Sequence, residues 1–183
     1  MRVEAELVQN KLVIWDPKKG TKIYKLGFFG KPIGVPKPRE VEEFETPLVL
    51  DPLEGLYLVE KGKIVVVRGP RKKPLALTGL RRWIKKVYVD FEIKYAVYKD
   101  LREKGYVVLP GVKYGSDFIV YERGPGLEHA PFMVQVKRSR EFLTASEIVR
   151  SGRLATTVRK RFIVAMIDAK RRIKYLMFKW WRA

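Results

Sequence analysis

Asp117-Phe118-Ile119-Val120-Tyr121, then Glu122-Arg123-Gly124-Pro125-Gly126-Leu127-Glu128, then Phe132-Met133-Val134-Gln135-Val136: two apolar runs enclose a turn-rich segment. Short runs of β-branched and aromatic residues bounded by Gly and Pro read as strands. Working outward, a further strand is expected at 106–109. Thr144-Ala145-Ser146-Glu147 has the form of a capping box, so a helix is expected from there to about Thr157. Residues 162–167 read as a buried strand, with 173–178 as its antiparallel neighbour. Upstream, Val89, Ile93, Val97 and Leu101 recur at helical spacing, which predicts one helix from about Arg82 to Lys104, stopped by Gly105. Helices interleaved with these strands make an α/β (α+β) domain over 85–183.

The first 84 residues read as a small α/β domain. Alternation over 3–29 predicts a hairpin, with Asp16-Pro17-Lys18-Lys19-Gly20 as the turn between Leu12-Val13-Ile14-Trp15 and Lys22-Ile23-Tyr24-Lys25-Leu26. Residues 30–39 hold Pro32, Pro36 and Pro38 with Gly30 and Gly34, so they are expected to form a stiff exposed loop. Asp51-Pro52 has the form of an N-cap followed by proline in the first turn, and Gly62 marks the end of that helix. A strand at 63–68 and a basic turn at 69–74 complete the domain.

A formal net charge of +19 on 183 residues favours a polyanionic partner, nucleic acid foremost. A protein that only neutralises phosphate fits this charge as well. Four Trp, nine Tyr and nine Phe argue for folded cores over a basic tail. The absence of cysteine removes disulfides, thiol nucleophiles and cysteine-based zinc sites. With His129 the sole histidine, a His-rich metal site is excluded, and no metal or other cofactor is expected. No apolar run approaches a membrane span and the N-terminus lacks a signal-peptide core, so a cytoplasmic protein is expected.

Tyr121 closes its apolar run, His129 follows the turn-rich segment, and Lys160 lies in Val158-Arg159-Lys160-Arg161. Cleavage of RNA by its own 2′-hydroxyl needs a base, an acid for the departing 5′-oxygen and a cation for the phosphorane. Tyrosine, histidine and lysine can fill those roles. Each residue also has a plain structural reading. A strand-end tyrosine often packs, a lone histidine is commonly a surface residue, and a charge run is commonly a solvated face. If 158–161 is extended, alternation puts Lys160 on the face opposite Arg159 and Arg161. Neighbouring cations are expected to favour the Tyr121 phenolate.

The blocks Tyr95-Ala96-Val97-Tyr98-Lys99-Asp100-Leu101-Arg102 through Gly105-Tyr106, Gly111-Val112-Lys113-Tyr114-Gly115-Ser116-Asp117-Phe118, Tyr121-Glu122-Arg123-Gly124, His129 and Thr157-Val158-Arg159-Lys160 resemble, in order and spacing, the archaeal tRNA-splicing endonuclease family. Over the first 85 residues the likeness rests mainly on Leu56-Tyr57-Leu58. The resemblance implies a C-terminal mixed-sheet nuclease domain like the restriction-endonuclease fold. It also implies metal-independent excision of introns from precursor tRNA at bulge–helix–bulge junctions, leaving 2′,3′-cyclic phosphate and 5′-hydroxyl ends. Tyr121 matches the family's general base, His129 its general acid and Lys160 its transition-state lysine. Arg153, seven residues before the lysine, and Trp180, of the pair Trp180-Trp181, resemble a clamp that stacks on a flipped bulge base. Tyr114 and Asp117 are read as structural.

Two departures from the family carry information. Self-assembling members present an acidic loop near the C-terminus, whereas Asp168-Ala169-Lys170-Arg171-Arg172 is basic. A non-identical structural subunit in an α2β2 heterotetramer is therefore expected. The proline-rich insertion resembles a substrate-touching loop of crenarchaeal catalytic subunits, with Lys31, Lys37 and Arg39 as phosphate contacts. Two rival readings stand beside this one. A metal-dependent nuclease would use Asp117 and Lys137, although Gln135 stands where a second carboxylate is wanted. A non-catalytic RNA-binding subunit would be expected to lack part of the Tyr–His–Lys set.

Overall fold

The computed structural model describes residues 2–35, 43–142 and 144–178. The chain forms two compact units, residues 1–91 with 125–127, and residues 92–124 with 128–183.

In the first unit β1 (Val3–Val8) and β2 (Lys11–Ile14) form an antiparallel hairpin, turned at Gln9, whose φ is 51°. The expected hairpin across 16–20 is absent, because 17–24 is helix α1 (Pro17–Tyr24). The Asp16 side chain accepts a hydrogen bond from the Lys19 amide at 3.0 Å and Pro17 occupies the first turn. This is the Asp-Pro start that also opens α2, and it overrides the apparent alternation of Lys22–Leu26. After it come β3 (Lys31–Pro32), β4 (Leu48–Leu50), α2 (Pro52–Glu60), β5 (Ile64–Arg68), β6 (Lys73–Pro74) and α3 (Leu77–Val87). The sheet order is β3-β4-β2-β1-β5-β6, with only β1 and β5 parallel. Proline thus enters the sheet only in its two edge strands, where a missing N–H is tolerated.

Leu12, Ile14, Leu48, Leu50, Leu56, Ile64, Leu80 and Ile84 fill this core. A Cβ on Gly55 would lie 2.0 Å from Cδ1 of the buried Leu12, so any larger residue would force that side chain or α2 to shift. Glu54 is buried, yet one carboxylate oxygen accepts from the Asp51 amide at 2.8 Å and the other from the Gly30 amide at 3.0 Å. It closes the α2 capping box and fixes the start of β3 together.

The single helix expected over 82–104 is two, α3 and α4 (Phe91–Glu103). Tyr88 is extended, Asp90 adopts φ 55°, and Val89, counted in the apolar stripe, is 77% exposed. Asp tolerates the left-handed region better than most residues, so the break falls there.

The second unit holds β7 (Val107–Pro110), β8 (Phe118–Tyr121), β9 (Phe132–Arg138), α5 (Ala145–Thr157), β10 (Arg161–Ile167) and β11 (Ile173–Phe178). These strands lie within a residue or two of their expected bounds, and β11 is antiparallel to β10 as expected. The sheet order is β11-β10-β9-β8-β7. Only β9 and β10 are parallel, joined through α5, so the sheet is mixed. Thr144 and Glu147 form the expected capping box. Gly152 and Ala155 are the buried residues of α5, and Ala155 packs with Ile119, Met133, Phe162 and Val164. On α4, buried Arg102 donates to the Tyr98 hydroxyl at 3.0 Å and to the Val108 carbonyl at 2.9 Å. Tyr98 and Arg102, one helical turn apart, thereby tie α4 to β7.

Candidate active site

Strand directions gather three distant parts of the chain at one sheet end. β8 runs antiparallel to β9, so the end of β8 meets the start of β9, and parallel pairing puts the start of β10 beside them. Val120 pairs with Phe132, and Phe132 with Arg161. Tyr121 is the last residue of β8, and Pro131 and Lys160 immediately precede β9 and β10. His129 stands two residues ahead of Pro131. The Arg161 amide donates to the Pro131 carbonyl at 2.8 Å, which extends the pairing to this edge.

Lys160 is delivered by the end of α5, not by a strand. Its amide donates to the Ala155 carbonyl at 2.7 Å and the Arg159 amide to the Thr156 carbonyl at 3.0 Å. With Arg159 at φ 55°, this is a Schellman motif. Alternation of an extended strand is therefore not what separates Lys160 from its neighbours, because the left-handed residue turns the chain. Lys160 is half-buried while Arg159 and Arg161 are exposed. The Lys160 ammonium donates to the Ala130 carbonyl at 2.8 Å and lies 5.4 Å from the centre of the Tyr114 ring. Burial lowers its pKa below the ordinary lysine value.

Tyr121 shares a sheet face with Ile119 and packs on the cluster that includes Ala130 and Ala155. Its pKa lies above the ordinary tyrosine value, raised first by burial and then by Tyr114 and Glu128. The expected pull of neighbouring cations toward the phenolate is thus reversed in the free protein, which holds Tyr121 as a neutral phenol.

His129 is exposed, next to the buried Ala130. Its loop is ordered from within. The Arg123 amide donates to the Glu128 carboxylate at 2.7 Å and the Glu128 amide to the Gly124 carbonyl at 3.3 Å. Gly124 and Gly126, at φ 137° and 88°, make this turn accessible. The Lys160–Ala130 hydrogen bond then pins the residue that follows the histidine.

The segment Gly111–Phe118 proves to be a positioning loop. A one-turn 3-10 helix, Val112–Tyr114, is closed by Gly115 at φ 62°. The Gly111 amide donates to the Asp117 carbonyl at 2.9 Å, and a Cβ on Gly111 would lie 2.4 Å from Ser116 Oγ. Asp117 accepts from the Val136 amide at 2.7 Å and pairs with Lys94 at 2.8 Å, a structural role as expected. Tyr114, read from the sequence as structural, also has its ring facing the Lys160 ammonium. Sequence reasoning missed this. The available signal was its place in a glycine-bracketed turn, where a large half-buried aromatic needs a partner.

Asp117 and Lys137, which a metal-dependent nuclease would bring to one cation, are engaged separately. Lys137 pairs with Glu147 at 3.0 Å, a bond that also helps hold the Glu147 carboxyl down at about 2, after the larger effect of the Thr144 amide. Among the described residues no three His, Asp or Glu side chains form a group able to hold a metal ion. Arg153 is exposed on α5, and Lys31 is exposed in β3. Trp180, Trp181, Lys37 and Arg39 lie outside the described residues. At the β10–β11 turn, Asp168 accepts from the Lys170 and Arg172 amides at 2.8 and 2.9 Å and pairs with the Arg172 side chain at 2.7 Å. Its charge is spent within the turn, leaving Lys170, Arg171 and Arg172 exposed. No helix among the described residues is long and apolar enough to cross a membrane.

Two family models match the chain. That of the tRNA intron endonuclease N-terminal domain covers residues 3–77, and that of the tRNA intron endonuclease catalytic C-terminal domain covers residues 91–175. A Hyperthermus butylicus protein named tRNA-splicing endonuclease is 45% identical over 179 residues, spanning 97% of this chain and 98% of the relative. Proteins of the same name from Sulfurisphaera tokodaii and Saccharolobus islandicus are 41% and 42% identical, over 96% and 97% of this chain and 97% and 98% of theirs.

Proposed function

The chain belongs to the tRNA intron endonuclease family, and from that premise we propose that it cuts precursor tRNA at both intron junctions of a bulge–helix–bulge element without a metal ion. Tyr121, reacting through its minor phenolate form, takes the proton of the 2′-hydroxyl and becomes the neutral phenol, while the 2′-oxygen forms a bond to phosphorus. His129 protonates the 5′-oxygen as its bond to phosphorus breaks, and Lys160 stabilises the charge on the phosphorane. The products are a 2′,3′-cyclic phosphate and a 5′-hydroxyl. The observation that supports this reading is the register of Val120, Phe132 and Arg161, which brings the end of β8 and the starts of β9 and β10 to one end of the sheet. Catalysis is assigned to the C-terminal domain, 85–183, and substrate contacts in part to the N-terminal domain, 1–84.

Recognition on this reading is of shape, since unpaired bulges expose bases that side chains can stack on. Arg153 and Trp180 clamp a bulge base, and Lys31, Lys37 and Arg39 meet phosphates. The basic turn at 168–172 disfavours docking onto a second copy of a protein with net charge +19, so the working enzyme is an α2β2 assembly with a non-identical subunit. The compartment is the cytoplasm. The test is end-group analysis of precursor tRNA cleaved by the co-expressed assembly in excess EDTA. Cyclic phosphate ends at both junctions are expected. Cleavage abolished by EDTA and restored by a divalent cation would replace this reading with the metal-dependent one.

A further inference from the structure

We propose that Tyr114 is a positioning residue, whose ring acts with the Ala130 carbonyl to hold the Lys160 ammonium facing the reacting phosphate. The inference rests on the role just assigned to Lys160. It deepens that role by saying what aims the cation and why its charge remains available.

An ammonium group carries three N–H donors. For Lys160, one is directed to the Ala130 carbonyl at 2.8 Å and another meets the Tyr114 ring at 5.4 Å. Both acceptors are neutral. Other lysines are held differently, among them Lys11 by Asp51, Lys94 by Asp117 and Lys137 by Glu147, each partner a carboxylate. Among the described residues no carboxylate pairs with Lys160. A carbonyl and an aromatic face can therefore restrain the chain of Lys160 without cancelling its charge. The third donor is left for an anionic ligand.

The support beneath Tyr114 is built for a fixed position. Gly111, Gly115 and Ser116 close the 3-10 turn through the Tyr114-to-Gly111 and Gly115-to-Val112 backbone bonds, at 2.8 and 3.1 Å, and the Ser116 hydroxyl donates to the Phe118 carbonyl at 3.2 Å. Tyr114 also packs on the cluster that holds Ala155, whose carbonyl anchors the Lys160 amide. The ring, the ammonium and the carbonyl beside His129 are thus located by one continuous set of contacts.

The test is single-turnover cleavage of precursor tRNA by the active assembly carrying Tyr114→Phe or Tyr114→Leu, each with Lys160 intact and with Lys160→Ala. Tyr114→Phe keeps the ring and is expected within about twofold of wild type. Tyr114→Leu should lower the cleavage rate roughly 3- to 30-fold, the span of a cation–π contact, with RNA binding unchanged. That loss should vanish in the Lys160→Ala background. In the isolated chain, the Lys160 ε-methylene protons should show an upfield ring-current shift, retained by Phe and lost with Leu. A Tyr114→Leu enzyme at the wild-type rate, or one whose loss persists undiminished in Lys160→Ala, would overturn the positioning role, the second result marking Tyr114 as packing alone. Full activity of Lys160→Ala would instead overturn the chemistry assigned to Lys160, and the inference with it.

Discussion

Arg159 occupies the left-handed C′ position of the Schellman motif that delivers Lys160, and replacing it separates backbone strain from charge. A non-glycine residue at φ 55° costs roughly 1–2 kcal/mol relative to glycine in the same conformation. Glycine gives back about 0.4–1 kcal/mol through the freedom it adds to the unfolded chain. Arg159→Gly should therefore stabilise the second unit by roughly 0.5–1 kcal/mol, a rise of about 2–8 °C in its melting temperature. Arg159→Val keeps a Cβ and adds a β-branch, which the left-handed region tolerates least. It should destabilise by roughly 1 kcal/mol or more and loosen the Lys160-to-Ala155 and Arg159-to-Thr156 bonds, at 2.7 and 3.0 Å. Thermal unfolding reads the stability, and hydrogen exchange at the Lys160 amide reads the turn. Single-turnover cleavage should follow the exchange result, with Gly near wild type and Val impaired at saturating RNA. If Val matched Gly in both stability and Lys160 protection, the backbone at 159 would not be what places the lysine.

Gly55→Ala should destabilise the first unit by about 1–3 kcal/mol through overpacking against Leu12; an unchanged melting curve would mean that α2 shifts freely on β2. Spectrophotometric titration, differenced against Tyr121→Phe, should find Tyr121 ionising above the ordinary tyrosine range, because burial favours the neutral phenol. A midpoint below 10 would show the cations prevailing after all. The Glu147 carboxyl is depressed to about 2, so its cap contribution is complete above the ordinary glutamate range near pH 4.5 and is lost as pH falls toward 2. Carbon-detected titration should give that low midpoint in the native protein and a higher one in Lys137→Ala, which keeps the Thr144 amide and hydroxyl bonds; identical midpoints would remove the Lys137 bond as a cause.

The second unit was largely legible in the sequence, because its signals are local and agree with one another. Thr144 and Glu147 announce α5, and the apolar runs ending at Tyr121, Val136 and Ile167 are bounded by turn residues. The errors have equally local causes. Asp16-Pro17 reads as a hairpin turn and Asp51-Pro52, the same dipeptide, as a helix start; the buried face of α1 against β4 decides between them, and that face is a tertiary fact. The break at 88–90 lay hidden because Val89 fits the helical period that Asp90 interrupts. At the site, chemistry pointed to Tyr121, His129 and Lys160 as candidates. The Tyr114 ring, the Ala130 carbonyl and the direction of the Tyr121 shift were not readable, because each depends on contacts between residues at least seven apart in the chain.

The row that extends from Val120 through Phe132 to Arg161 exists only when β9 has found partners on both of its sides. A nascent or half-melted chain thus carries every residue of the proposed centre without bringing them to one edge, since Tyr121 ends β8 and Lys160 leads into β10, on either side of β9. On the proposed reading, the reactive geometry is a property of sheet closure, and cleavage follows only once the domain has finished folding.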